Sequence, residues 1–382
     1  MITVGFEQDK LQVSFTFRFL EMIKHIKIQQ VPRILWLPRS IPIALGFLIA
    51  VISLALNLVS LAEEGTIKLQ LKPWIGEEQT TQMESESKVT MPTGWILTTK
   101  IKGEFTNICL GVDDAGVMKI ITLTRLSDPE QAMENIPPDQ AKMLEEVIKQ
   151  TKGLYPTKTV SVFRMRPDGA VIDNPLSRMM LAGTLSTGQA SDLFSGTNLK
   201  MLPDKPINVG ESWTQQTGTN NNISTKSTLL GFDEIQGQKC AKIQLEITMN
   251  MPQIGEVKSN STNYFSVEDG LSVKSVGGGE YQIPNQGTTN TSQTTELVKR
   301  QKLTPDELKI IQAEADELDI AFGYMQKENF DPAKEALQKF ADTHTQSRFK
   351  EGAEGIITLI DTMKKMQQMM EQEQKGMEMQ NR

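Results

Sequence analysis

Strict alternation of apolar and polar residues is the feature that most constrains the fold of this chain. In Lys242–Met251, every second residue from Ile243 onward is apolar and every residue between them is polar. Because successive side chains of a β-strand point to opposite faces, this pattern predicts a strand with one buried and one solvated face. Such strands belong to antiparallel sheets with one wet side. Weaker forms of the same period run from Thr66 to about Lys299.

Short glycine-containing segments separate the predicted strands and indicate about ten strands joined mostly to their neighbours in sequence. Each segment combines glycine with aspartate, glutamate or glutamine, which favour tight hairpin turns. Carboxylates in such turns ordinarily bond the local backbone. We therefore interpret Asp113-Asp114 and Glu268-Asp269 as turn residues rather than as calcium ligands or a glycosidase acid and base. The clearest turns are Asp113–Gly116, Pro167–Gly169, Gln236–Gly237 and Glu268–Gly270.

Three segments interrupt the strand pattern. Pro138–Gly153 has apolar residues at helical spacing and a proline near its first turn, so it is predicted to be an inserted helix. A weaker helical pattern covers Thr184–Phe194. The proline-punctuated segment Leu202–Trp213 predicts a joint between two halves of the β region. Gly277-Gly278-Gly279 follows a strand with no helix after it, which favours a bulge or turn over a phosphate cradle.

After Leu303 the period changes to that of a helix. Thr304-Pro305-Asp306-Glu307 is a helix start, with threonine as the cap, proline at the first position and a carboxylate at the third. Residues Ala315–Ala353 resemble one tetratricopeptide-type helical hairpin. A single hairpin of this type cannot bury its own faces, so it is expected to lean on the β domain, on a partner or on a second copy. The resemblance rests on Ala321, Tyr324, Phe330, Ala333, Leu337 and Phe340.

The tail has a seam typical of a short coiled coil, because its apolar residues follow alternating spacings of three and four. We predict that the seam residues Leu359, Met363, Met366 and Met370 bind a partner helix or a second copy of the chain. Thioethers are also soft ligands for copper(I). Most of the tail methionines lie on the seam, however, where methionine is an adaptable packing residue. No metal site and no cofactor are therefore predicted.

An apolar run at Ile41–Ala62 predicts export of everything after it. The run contains no charged residue, a basic flank precedes it and two glutamates follow it. The positive-inside bias keeps the basic flank in the cytoplasm. The length is near that of a membrane span, whereas Ser60-Leu61-Ala62 matches the small-x-small cleavage pattern. Cleavage after Ala62 and an uncleaved signal anchor therefore both stay open. Met22 is an alternative start to Met1, because it would open a conventional basic n-region.

Charge and histidine content argue against several functions. The chain has a formal net charge of −7, and residues 1–62 contribute +3, which leaves −10 on the remainder. An acidic body repels phosphate backbones, so nucleic acid is not an expected partner. The two histidines are His25 in the leader and His344 in a predicted turn, where we expect a surface residue without a partner. Without nucleophile or phosphate-loop motifs, catalysis is not predicted.

Cys109 and Cys240 leave two interpretations open. In an exported chain they could form a disulfide that ties the first part of the sheet to the second. Each could instead be a small buried hydrophobic residue.

Together these patterns predict an α+β protein with three parts. Residues 1–62 form a cytoplasmic leader with a signal peptide or signal anchor, 63–300 an antiparallel β-rich domain with an inserted helix, and 301–382 a helical hairpin and tail helix. Because a long sheet with one apolar face must cover that face, we expect it to curve into a half-barrel.

Over roughly 66–300 this plan resembles exported lipoprotein-carrier-like half-barrels of bacterial envelopes, and Leu202–Trp213 resembles connectors of uncharacterised exported bacterial β proteins. The resemblance implies a concave apolar surface for a lipid or other apolar ligand. The predicted function is therefore non-catalytic binding of such a ligand in the periplasm or outside the cell. The alternative is an envelope scaffold that acts through the C-terminal helices.

Overall fold

The chain folds as a large open antiparallel sheet followed by helices, which confirms the α+β class. Within the described residues no helix is long and apolar enough to cross a membrane. The leader with Ala62, the segment Thr184–Phe194 and most of Pro138–Gly153 lie outside the described residues, although Pro138 and 140–142 are helical. The computed structural model describes residues 66–138, 140–142, 146, 156–172, 202–217, 223–251, 255–283 and 287–380.

Fourteen strands are present in the described part of the chain, more than the ten expected. Two of them, β1 and β8, form a separate small sheet, and the other twelve form one sheet. Their bounds are β1 Thr66–Ile67, β2 Glu77–Thr90, β3 Ile96–Val112, β4 Met118–Leu126, β5 Glu130–Glu134, β6 Lys158–Met165, β7 Val171–Ile172, β8 Ile207–Asn208, β9 Ser212–Thr217, β10 Ile223–Ile235, β11 Gln238–Met251, β12 Gly255–Ser266, β13 Leu271–Ile283 and β14 Gly287–Lys302.

The large sheet has the order β7-β6-β4-β3-β2-β14-β13-β12-β11-β10-β9, with β5 paired to β3. Its two halves meet where β2 pairs with β14, for example Met83 opposite Thr295. Leu202–Trp213 connects the halves in sequence, but it is not their joint in the sheet. It instead supplies β8 and the first residues of β9.

The four predicted turns all connect the strands that they were expected to connect. Asp113 behaves as a turn residue, because its carboxylate accepts hydrogen bonds from the N–H groups of Ala115 at 2.9 Å and Val117 at 2.8 Å. Asp269 also lies in its predicted turn, but its carboxylate binds the side chains of Arg300 at 2.5 Å and Gln238 at 3.0 Å. The expected bond to the local backbone is therefore not made, because Arg300 on β14 offers a charged partner.

The sheet curls strongly. β6 and β12 are six strands apart in the sheet, which would separate them by about 29 Å if the sheet were flat. The N–H of Leu71 nevertheless donates to the carbonyl of Pro167, after β6, at 2.9 Å. The next residue, Lys72, donates through Nζ to the carbonyl of Glu268, after β12, at 2.5 Å. Adjacent residues can reach both turns only if the sheet is concave, with residues 66–76 lying across the concave side as a strap.

The concave side contains the larger hydrophobic cluster, which we call the concave core. It joins strap residues such as Leu71 and Trp74 to the apolar face of β11 and to Ile120 and Phe163 at the other end of the sheet. The alternation in Lys242–Met251 is thus confirmed, with the apolar side turned inward. The opposite, wet side of the sheet has cross-strand ion pairs such as Lys226–Glu246 and Lys274–Glu296. These exposed pairs contribute little to stability.

A second cluster, the helical core, lies on the outer face of β3, β4 and β6. Ile108, Ile121 and Val162 pack there against three helices. These are α1 Pro305–Gln326, α2 Phe330–Thr343 and α3 Lys350–Gln380. The predicted helix start is confirmed, because Thr304 and Glu307 form a reciprocal capping box. The hairpin α1–α2 leans on the β domain, one of the three supports expected, while its tetratricopeptide character stays a prediction.

Helix α3 crosses β6 at very short range because two glycines face the strand. A Cβ on Gly355 would lie 1.8 Å from the carbonyl oxygen of Lys158, and one on Gly352 would lie 2.9 Å from the Cβ and N of Val160. Glycine lets two backbones approach more closely than any other residue. The two glycines therefore determine the distance between α3 and β6.

Candidate functional site

A buried polar area occupies the middle of the concave face, where β12, β13, β14 and β2 run side by side. Cross-strand pairing places Asn263 opposite Ser275 and Ser275 opposite Thr295. The next rows continue the same face toward β2. We call this area the polar patch, and all its members are uncharged. They are Ser85, Ser87, Ser259, Ser261, Asn263, Ser275, Gly277, Gly279, Thr291, Gln293 and Thr295.

Gly277-Gly278-Gly279 crosses the patch inside β13 and pairs without interruption with both neighbouring strands. The bulge or turn expected here was therefore wrong. A Cβ on Gly277 would lie 2.4 Å from the Cβ of Ser261, and one on Gly278 would lie 2.2 Å from the carbonyl oxygen of Thr291. Because glycine has no side chain, the strands approach closely at this point. Gly277 and Gly279 also add no side-chain atoms to the concave face.

Apolar residues border the polar patch on two sides. On one side, Ile243, Leu245 and Ile247 of β11 face it from the concave core. On the other side, Met83 and Phe105 form a separate buried cluster. The concave face is thus amphipathic, with a central strip of hydroxyl and amide groups between two hydrocarbon surfaces. This differs from the predicted apolar surface, because β12 to β14 carry serine, threonine and asparagine on both faces.

Several polar groups of the concave face have no hydrogen-bond partner within the described residues. They include Asn263 Nδ2, Ser87 Oγ and Thr225 Oγ1. Asn263 is 0% exposed, Thr225 is 4% exposed and Ser87 is 6% exposed. The Oδ1 atom of Asn263 accepts a hydrogen bond from the Ser272 hydroxyl at 2.8 Å, so its amide donors are the unused part. A buried donor without a partner costs about 1–3 kcal/mol, which favours a site that water or a ligand completes.

Charged residues lie at one end of the concave side, where β2 begins and β14 ends. Arg300 binds both carboxylate oxygens of Glu77, at 2.7 and 3.1 Å, and Asp269 at 2.5 Å. The hydrogen bond to Glu77 raises the pKa of Arg300 above its ordinary value, and Asp269 adds to this effect. The three charges satisfy one another at this rim, so they are not directed at the polar patch.

The chain has distant structural similarity to solved structures that are described as exported or lipoprotein-related proteins. A candidate exported protein with a YmcC-like fold from Bacteroides fragilis is 12% identical, with a TM-score of 0.26 over 62% of this chain and 100% of that one. A candidate lipoprotein from Parabacteroides distasonis is 11% identical, with a TM-score of 0.25 over 60% and 97%. A candidate outer-membrane lipoprotein-sorting domain from Vibrio parahaemolyticus is 8% identical, with a TM-score of 0.16 over 61% and 91%.

No protein-family model and no curated protein matches the sequence. The structural neighbours are of the kind that the sequence resemblance named. Likenesses this distant assign no function, which has to be argued from the residues of this chain.

Cys109 and Cys240 are both free and both buried. Both lie in the concave core, where they pack as small buried hydrophobic residues. The disulfide between them is not formed. Burial raises the pKa of each thiol to about 11. A thiol in this state is a poor nucleophile and a poor metal ligand.

Two of the four residues of the predicted partner-binding seam on α3 are described, and both pack within the chain itself. Leu359 is 3% exposed and belongs to the helical core, and Met363 packs against the same core. Leu359 is therefore buried within the chain itself rather than exposed for a partner. The side chains of Met366 and Met370 lie outside the described residues.

His344 has partners, contrary to the prediction of a solitary surface residue. It caps the end of α2, and its Nε2 lies 3.1 Å from the Glu317 carboxylate. Its Nδ1 lies 3.7 Å from Glu314, and its ring contacts Phe340 with centroids 4.7 Å apart. Burial raises the pKa of Glu314. This cluster ties α2 to α1, and the described residues contain no group of three or more side chains suited to a metal ion.

Sequence reasoning missed the polar patch. The available signal was the polar character of both faces of Lys258–Asn263 and Thr288–Thr295, which is unusual for strands in the middle of a sheet. Without the pairing register, those residues could not be assigned to one continuous surface.

Proposed function

We propose that this protein is an exported, non-catalytic binding protein that holds an amphipathic small molecule, such as a lipid, on its concave face. The observation that carries the proposal is the buried polar patch between the aliphatic face of β11 and the Met83–Phe105 cluster. A purely structural core would have no use for unpaired hydroxyl and amide groups in its middle. A ligand with hydrocarbon and polar parts matches both kinds of surface.

The energetics favour such a ligand. Hydrocarbon gains roughly 25 cal/mol for each Å² removed from water, and apolar residues border the patch on two sides. Polar ligand atoms at the patch would supply the missing partners of Asn263 and Ser87. Each satisfied buried group then avoids a penalty of about 1–3 kcal/mol. Binding without catalysis also agrees with the high pKa of both buried thiols and the structural engagement of His344.

The test is native mass spectrometry of protein expressed from the full-length sequence and purified from the exported fraction. We expect a bound amphiphile of discrete mass that organic extraction removes and added lipid restores. Ser261→Leu fills the concave face and should abolish this adduct. Thr262→Leu is the matched control, because Thr262 lies on the wet face of the same strand. An adduct that is absent throughout, or equal in both variants, would overturn the proposal.

A second candidate function is the scaffold predicted from the C-terminal helices. The observation that favours it is an exposed apolar stripe on α1, where Ile310 is 61% exposed, Ile320 is 60% exposed and Tyr324 is 38% exposed. These positions fall on one side of the helix. Sedimentation at high micromolar concentration tests this function. Self-association that Ile310→Glu and Ile320→Glu abolish would favour the scaffold over the binding protein.

A further inference from the structure

We infer that the part of the ligand held by the polar patch is uncharged and accepts hydrogen bonds, as the ester carbonyls of a neutral lipid do. This inference rests on the proposed binding function and names its ligand class. It depends on the charge, the donors and the spacing of the patch.

The described residues that cross the middle of the concave face are uncharged. Three rows of directly paired residues cross the concave face from β11 to β2, and none of their fifteen members is charged. An ionised ligand group placed there would lose its water without gaining a counter-ion, which is strongly unfavourable. The rows are Ile243–Asn263–Ser275–Thr295–Met83, Leu245–Ser261–Gly277–Gln293–Ser85 and Ile247–Ser259–Gly279–Thr291–Ser87.

The charged residues at the rim of the concave side are already paired. Arg300 at the rim is held by Glu77 and Asp269 together. Freeing Arg300 for an anionic ligand would leave the partly buried Glu77 and Asp269 carboxylates beside each other without compensation. The rim therefore does not supply a counter-ion for the patch.

The unused polar groups of Asn263, Ser87 and Thr225 can all donate hydrogen bonds. The Oδ1 atom of Asn263 is occupied by Ser272, so this fully buried side chain presents its amide N–H groups, which only donate. The hydroxyls of Ser87 and Thr225 can donate as well. A complementary ligand must therefore contain acceptor oxygens, and a carbonyl oxygen is the uncharged group that accepts best.

These donors are widely spaced. Asn263 and Ser87 are three strands apart, about 14 Å across the sheet, and their rows are four residues apart, about 13 Å along the strands. Donors arranged to hold one phosphate or carboxylate converge on a point. Donors spread over this distance suit an extended molecule with more than one acceptor.

The experiment compares two probes with the same hydrocarbon chain, methyl oleate with a neutral ester and oleate with a carboxylate, at pH 8 where oleate is ionised. Protein expressed from the full-length sequence is stripped of lipid and titrated with each probe. We expect methyl oleate to bind at least tenfold more tightly. Asn263→Leu should weaken methyl oleate binding about tenfold, the loss of one buried hydrogen bond. Asn260→Leu, on the wet face of the same strand, should leave it unchanged.

The outcomes separate this inference from the function on which it rests. Oleate binding as tight as that of methyl oleate would overturn the neutral ligand class while leaving the binding function intact. Failure of both probes and of diacylglycerol vesicles to bind would remove the binding function and the inference together. If Asn263→Leu does not fold, Asn263→Ala and Asn263→Val decide the role of this donor, because the single carbonyl of methyl oleate can meet only one of the separated donors. Unchanged affinity in both variants would refute it.

Discussion

Helix α3 packs closely on β6. At this contact, the effect of a glycine-to-alanine substitution on the free energy of unfolding is decided by tertiary packing rather than by helix propensity. Gly355→Ala introduces a Cβ 1.8 Å from the carbonyl oxygen of Lys158 and 3.1 Å from the Cβ of Pro156. Ordinary contact begins at about 3.4 Å, so helix and strand must separate by more than an ångström. The obstacle is backbone, which cannot rotate away as a flexible side chain would.

The expected magnitude follows from two opposing effects. Replacing glycine by alanine inside a helix stabilises it by about 1 kcal/mol. Overpacking a close contact costs about 1–3 kcal/mol, and contact with backbone belongs at the upper end of that range. We therefore expect Gly355→Ala to lower the free energy of unfolding by about 2 kcal/mol.

Gly323→Ala on α1 is the matched control. A Cβ on Gly323 would meet no atom within 4 Å, so only the propensity effect applies. This variant should be more stable than the unmodified protein by about 0.5–1 kcal/mol.

Urea unfolding followed by circular dichroism at 222 nm measures the stability of each variant. Tryptophan fluorescence follows the sheet separately, because Trp74, Trp95 and Trp213 all lie in the β domain. If Gly355→Ala is as stable as Gly323→Ala, the close approach of α3 to β6 is not a constraint, and the account of how the helices seat on the sheet is wrong.

Three further predictions concern thiol reactivity, pH dependence and location. With a pKa of about 11, Cys109 and Cys240 should react with a disulfide reagent at pH 8 about 100-fold more slowly in the folded protein than in guanidinium chloride; equal rates would contradict their burial. Burial raises the pKa of Glu314, so the folded state binds this proton more tightly than the unfolded state. The contribution of Glu314 to the free energy of unfolding therefore falls as the pH rises above about 4.5. Glu314→Gln should therefore be the more stable form at pH 7 and flatten the dependence, and a less stable variant would refute this reasoning. An alkaline phosphatase fusion after Leu303 should be active only outside the cytoplasm, because the Ile41–Ala62 run and its basic flank admit one orientation; activity of a matching cytoplasmic reporter at that position would end the export hypothesis.

Local patterns in the sequence determined the individual elements. The alternation in Lys242–Met251 specifies an inward apolar face whatever lies next to it, because side chains in a strand point alternately to opposite faces. The turn at Gln236–Gly237 and the capping box at Thr304 and Glu307 also need only neighbours within a few residues, and the structure confirms both. These features depend on short-range sterics and hydrogen bonds, which the sequence displays directly.

The candidate site was decided by tertiary structure alone. Ser259, Gly279 and Ser87 become one surface only because β12, β13, β14 and β2 pair in a particular register, and a shift of one residue would turn each strand's other face inward. The pairing of β2 with β14 joins segments about 200 residues apart, and their composition gives no sign of it. Leu359 was predicted to bind a partner because its pattern fits a seam, yet it is buried in the helical core of the same chain. Curvature, register and the choice of covering surface are properties of contacts between distant segments, so periodicity within a segment cannot determine them.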